Sequence, residues 1–102
     1  MLRIKLFDGN YIVRFRHDTY NRFSEAALHY GYDVEDSGKV IYEEVPTYIA
    51  TSLCHPKDQF TKKTGRKVAL ARLLEWMSHN RFDLTEEDRR EIWELYFASH
   101  RK

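Results

Sequence analysis

Apolar side chains recur at every second position over residues 2–15 and at every third or fourth over residues 69–77. A chain whose apolar period changes in this way builds strands first and helices afterwards. Leu2, Ile4 and Leu6 alternate with Arg3 and Lys5, and Tyr11, Val13 and Phe15 alternate with Ile12, Arg14 and Arg16. Between them Asp8-Gly9-Asn10 supplies residues suited to the positive φ of a tight turn. The spacing predicts a β-hairpin over residues 1–17, with one apolar face and one largely basic face.

Residues 18–38 have no single reading. Ser24 to His29 fits a short helix capped by Ser24 and stopped by Gly31, and it fits an irregular strand equally well. Asp33 to Gly38 is a polar turn. Lys39 to Cys54 is rich in β-branched and aromatic residues, but Pro46 cannot donate to a central ladder. The expectation is one strand at about 40–45 and another at about 47–54.

Leu70, Leu73, Leu74 and Met77 then form a helical stripe widened by Ala69 and Trp76, ending near His79-Asn80. Thr85-Glu86-Glu87-Asp88 places a cap and three carboxylates at the start of a second helix. Ile92, Trp93, Leu95, Tyr96 and Phe97 are its expected buried side. The predicted fold is α+β: an N-terminal antiparallel β-sheet, a hairpin plus one or two further strands, packed against two C-terminal helices.

The chain has 102 residues, 42% of them hydrophobic and 15% aromatic. That suffices for one packed domain over residues 1–102 and is too short for two. Cys54 is the only cysteine, so no intramolecular disulfide forms, and a lone thiol suits a reducing compartment. The first ten residues reach Asp8 before any long apolar run, unlike a secretory signal. Nothing approaches the roughly 18 consecutive apolar residues of a membrane span. These features lead to the expectation of a cytoplasmic protein without membrane contact.

The net charge of +1 conceals a segregation. From His55 to Arg72 six basic residues, Lys57, Lys62, Lys63, Arg66, Lys67 and Arg72, face one acid, Asp58. From Arg81 to Tyr96 six acids, Asp83, Glu86, Glu87, Asp88, Glu91 and Glu94, face three basic residues. If the first helix starts near Thr64, its free amides, its dipole and these cations favour an anion in one place. If it starts near Asp58, Gly65 lies inside it and that argument weakens. The plain alternative is a solvated helix start with Gly65 present for close packing. The acidic second helix, with Glu86, Glu87, Glu91, Glu94 and Trp93, is a candidate face for a partner, although an aromatic stripe is more often core.

No catalytic constellation emerges. Cys54 and His55 are adjacent, so on a strand they point to opposite sides, and His17, His29, His79 and His100 are scattered singly. Metal ligands come in closely spaced pairs, so Cys54 reads as a buried structural residue. No phosphate-binding glycine loop, nucleophile elbow or metalloprotease helix motif occurs. Neither a cofactor nor a metal is expected, and the chain does not read as an enzyme.

The run CHPKDQFTKKTGRKVALARLLE, followed by EEDRREIWELYF, resembles small bacteriophage and prophage proteins. The matching positions are Cys54, Pro56, Asp58, Phe60, Lys63, Gly65, Arg66, Ala69, Leu70, Arg72, Ile92, Trp93 and Tyr96. The resemblance covers a little under half the chain and carries no reaction with it. It implies a bacterial host and an accessory protein that binds host machinery, as inhibitors of CRISPR complexes do. The expected function is therefore non-enzymatic inhibition of a host protein or protein–nucleic-acid complex through protein contacts. The alternative is direct nucleic-acid binding by the basic helix start, residues 62–67, with Arg14 and Arg16 extending the patch.

Overall fold

The computed structural model describes residues 2–6, 9–34, 37–54, 59–80 and 84–99. Five strands, β1 (Leu2–Leu6), β2 (Gly9–Asp18), β3 (Phe23–Val34), β4 (Lys39–Tyr42) and β5 (Tyr48–Leu53), precede two helices, α1 (Lys62–His79) and α2 (Glu86–Ser99). This is the α+β arrangement the change of period predicts. All strand pairings are antiparallel.

The hairpin forms as its alternation requires, with Leu2 opposite Val13 and Ile4 opposite Tyr11. Asp8 lies outside the described residues; Gly9 has φ +153°. The ambiguous segment becomes the longest strand. In β3, Ser24, Ala26, Leu28 and Tyr30 continue the face of Phe15, Val13 and Tyr11, and the first three are buried. Pairing along both edges of β3 supplies what local propensity withholds, so the helical alternative is not adopted.

Strand β2 occupies one edge of β3, and β4 and β5 share the other end to end. Between them the chain leaves the edge around Pro46. Glu43 N–H still donates to the Tyr30 carbonyl at 2.8 Å and Thr47 N–H to Leu28 at 2.7 Å. His29 Nδ1–H donates to the Glu43 carbonyl at 2.8 Å. The predicted division of this stretch at the proline therefore stands, and each strand is shorter than its composition suggests.

Gly31 makes room for this edge: a Cβ there would come within 2.6 Å of the Tyr42 ring and 2.9 Å of Val40. The aromatic ring lies over a bare backbone, a pairing that restores apolar cover above a glycine in a strand.

Both helices cover the same face of the sheet. α1 lies over β3 and β5 and α2 over β1. Ala69, Leu70, Leu73, Leu74 and Met77 meet Leu2, Ile4, Val13, Leu28, Ile92 and Tyr96 in one core. Tyr96 sits edge-on to Phe15 at 5.8 Å between ring centres, and Tyr48 stacks flat on Trp76 at 4.0 Å. Of the residues expected to bury α2, Ile92 and Tyr96 are buried and Trp93 half-buried. Leu95 and Phe97 are instead 46% and 48% exposed. A helix with no second layer outside it buries only one narrow side.

Among the described residues no helix or further layer covers the opposite face of the sheet. It carries Arg3 and Lys5 of β1, Asn10, Ile12, Arg14, Arg16 and Asp18 of β2, and the intervening residues of β3, β4 and β5.

Candidate functional site

α1 begins at Lys62 with Thr61 as its cap, the hydroxyl accepting from Thr64 N–H at 3.3 Å. Gly65 thus lies within the first turns and not at the cap. It is buried, and a Cβ there would collide with Ser24 Oγ and Cβ. The glycine is required by close packing of helix on sheet, the plain alternative offered above.

Ser24 and His17 Nδ1 share a hydrogen bond of 2.7 Å. A serine bonded to an imidazole is also how a nucleophile and its base are arranged. Here Ser24 has no exposed surface and lies beneath Gly65, so no substrate reaches its hydroxyl. Burial, then the charges of Arg66 and Lys62, hold the His17 ring below its ordinary pKa of 6.5.

Of the six basic residues read as one patch, five are described: Lys62, Lys63, Arg66 and Lys67 share the first turns of α1, and Arg72 stands apart. Lys57 lies outside the described residues. Lys62 and Lys63 are exposed in the first turn. Arg66 and Lys67 are half-buried, and Lys67 Nζ stands 5.5 Å from the centre of the Phe97 ring. Arg72 is more than a turn beyond Lys67 and donates to the Thr51 carbonyl of β5 at 2.6 Å. That bond occupies an acceptor on a strand with no described neighbour on its outer side, a common way to blunt a sheet edge. Arg14 and Arg16 lie on the uncovered face, with the sheet between them and α1, and do not extend the helix-start patch.

On α2 the expected acids Glu86, Glu87, Glu91 and Glu94 are all exposed. Thr85 and Asp88 close the first turn reciprocally. Asp88 N–H donates to Thr85 Oγ1 at 3.0 Å, and Thr85 N–H to Asp88 Oδ2 at 3.2 Å. Trp93 packs against Tyr96 and Phe97, with ring centres 5.7 Å apart in each case. It belongs to the rim of the core and not to the acidic row.

Cys54 is half-buried. It lines a cleft of about 410 Å³ with Leu53, Phe60, Thr61 and Val68, and Arg22 Nη2 lies 3.5 Å from its sulfur. The expectation of a buried thiol is corrected: β5 ends at Leu53, and Cys54, whose N–H still donates to the Arg22 carbonyl at 2.9 Å, sits half-exposed at the mouth of this cleft. Among the described residues no three His, Cys, Asp or Glu side chains gather as metal ligands, and no helix is long and apolar enough to cross a membrane.

The uncovered sheet face was visible in sequence only as the basic side of one hairpin. Its other half comes from β3 and β5, whose register the sequence does not specify. Among the described residues the one ion pair lies here, Arg16 to Glu25, with bonds of 3.0 and 3.1 Å. Compared with known proteins, the chain matches no family model, no curated protein and no solved structure.

Proposed function

We propose that this chain is a binding protein with no reaction of its own, one that attaches to a nucleic-acid-handling complex in the cytoplasm of a bacterial host. It acts there as an inhibitor by protein contact, in the manner of phage counter-defence proteins such as those directed at CRISPR complexes. The observation that carries this reading is the distribution of charge. Lys62, Lys63, Glu86, Glu87, Glu91 and Glu94 are all exposed, and the one ion pair among the described residues, Arg16 to Glu25, uses none of them. Charge left unpaired within a fold is available to steer and orient a partner.

The helix layer presents both signs separately: Lys62 and Lys63 at the start of α1, and Glu86, Glu87, Glu91 and Glu94 along α2. Glu87, Glu91 and Glu94 share one side of α2 by their spacing, with Arg90 beside them and Leu95 half exposed next to them. Such a row offers regularly spaced negative charge to a basic groove that otherwise holds a phosphate backbone.

The test is affinity capture from a bacterial lysate, with and without nuclease. The expected result is stoichiometric retention of a nucleic-acid-handling complex that survives nuclease and is lost when Glu87, Glu91 and Glu94 are changed together to Lys. Retention of no specific protein, or retention abolished by nuclease, overturns the reading.

A further inference from the structure

We propose that the uncovered face of the sheet is a binding surface for a single strand of nucleic acid, its backbone on the cations of β1 and β2 and its bases towards the apolar residues of β5. The inference rests on a different surface from the acidic row of α2 and does not depend on it.

The strand register sets out this face. Lys5 lies across from Asn10 and Arg3 from Ile12, and Arg14 and Arg16 continue along β2. All four cations are exposed. At about 3.4 Å per residue they form one line about 20 Å long. Across β3, His29 is opposite Ile12, Ala27 opposite Arg14 and Glu25 opposite Arg16. Beyond these lie Ile49 opposite Ala27 and Leu53 opposite Phe23, 43% and 71% exposed. Arg14 and the apolar bank are thus two strand spacings apart, about 10 Å, and Arg3 and Lys5 on β1 lie one spacing further out, over a floor that includes Ala27 and His29. Ile12 is 1% exposed there, and His29 is fixed by its bond to the Glu43 carbonyl.

Of the acids on this face among the described residues, Glu25 offsets one cation of the line, Arg16, and leaves Arg3, Lys5 and Arg14 outside that pair. Glu25 is held by Arg16, and Asp18 accepts from the Asn21 backbone and side-chain amides at 2.8 and 2.9 Å. Asp33 pairs with Val40 at the far end of β3. At that end the face deepens into a cleft of about 500 Å³ where Arg3, Lys5, Asn10 and Lys39 meet the Tyr42 side chain.

One bank for charge and another for apolar surface select the form of the ligand. A duplex presents its phosphates and hides its base faces, whereas a single strand offers both. An acidic peptide offers charge without flat apolar surface.

The experiment is fluorescence anisotropy with labelled oligothymidylate and oligouridylate of about 12 nucleotides, against a duplex of equal length. The expected result is single-strand binding that falls steeply between about 50 and about 200 mM salt. R3E/R14E should weaken it by about tenfold or more, L53S by about threefold, and K62E/K63E by less than about twofold. Should R3E/R14E not fold, as circular dichroism would show, R3Q/R14Q is expected to give a smaller loss of the same kind. Four results overturn the proposal: no binding at all, equal or tighter binding of the duplex, polyglutamate competing as well as oligonucleotide, or a loss confined to K62E/K63E. None of these bears on capture through α2, so the two readings fail separately.

Discussion

Gly65 of α1 rests directly on Ser24 of β3, and a Cβ at position 65 would occupy the space of the serine side chain. This contact fixes how closely the first turns of α1 approach the sheet. Both residues are buried, so neither has room to yield. Replacing Gly65 by Ala improves intrinsic helix propensity by about 1 kcal/mol but overpacks a tight contact at a cost of about 1–3 kcal/mol. The expected outcome of G65A is net destabilisation, seen as a lower urea midpoint with unchanged slope. Adding S24G to G65A should recover part of it, because the obstacle is then gone. A G65A protein more stable than the parent would show that α1 shifts freely on the sheet.

The placement of His17 beneath the start of α1 makes stability depend on pH in a definite direction. The folded chain holds His17 below its ordinary 6.5, first by burial and then through Arg66 and Lys62. As pH falls through that ordinary value the unfolded chain takes up the proton first. Stability that is complete above it is therefore lost progressively until the folded ring is also charged. Urea midpoints should fall between about pH 7.5 and about pH 5.5. His17→Gln, which keeps a hydrogen-bonding group towards Ser24, should fall less over the same interval. An equal fall in both proteins would assign the dependence to other groups. Asp18 acts in a separate window: bonds from Asn21 hold its carboxyl below the ordinary 3.8, so its contribution is lost only in stronger acid.

The paired bonds of Thr85 and Asp88 hold the start of α2. Thr85→Ala removes the acceptor for the Asp88 amide and should cost about 1 kcal/mol. Because α2 contributes Ile92 and Tyr96 to the core, the loss should appear in global unfolding and not as fraying alone. Thr85→Ser keeps the acceptor and should restore most of the stability. If T85A and T85S unfold alike, the cap does not contribute.

Where the sequence was readable, local physics and tertiary structure agreed. The alternation of Leu2 to Leu6 with Tyr11 to Phe15, the Pro46 break and the Thr85 cap each carry their structural instruction within a few residues. The readings stayed open or failed where the instruction is non-local. Ser24 to Tyr30 becomes strand because β2 and β5 flank it, and no feature of those seven residues announces that. Leu95 and Phe97 stay exposed because no described element lies outside α2, which periodicity alone does not reveal. The same limit applies to the surfaces. Lys62 to Arg72 looked like one patch because it is contiguous in sequence, but helix geometry turns Arg72 towards Thr51. Arg3, Arg14, Ile49 and Leu53 share a face only through a register that spans half the chain.

The bond from Arg72 to the Thr51 carbonyl joins α1 to the outer edge of the sheet. Among the described residues β5 pairs with β3 on one side only, and an edge left open in this way with Ile49 and Leu53 exposed beside it invites pairing with another chain. Arg72→Met keeps most of the side-chain stem over the strand while removing the donor. The stability cost should be modest, about 1 kcal/mol, because the freed carbonyl can take water. The larger consequences are local. Amide exchange over residues 48–53 should quicken relative to β2, and light scattering on mild warming should rise earlier than in the parent protein. Arg72→Lys retains a donor of similar reach and should fall between the two. Unchanged exchange over residues 48–53 in R72M would mean that contact with β3 alone holds β5, leaving the arginine no part in guarding the edge.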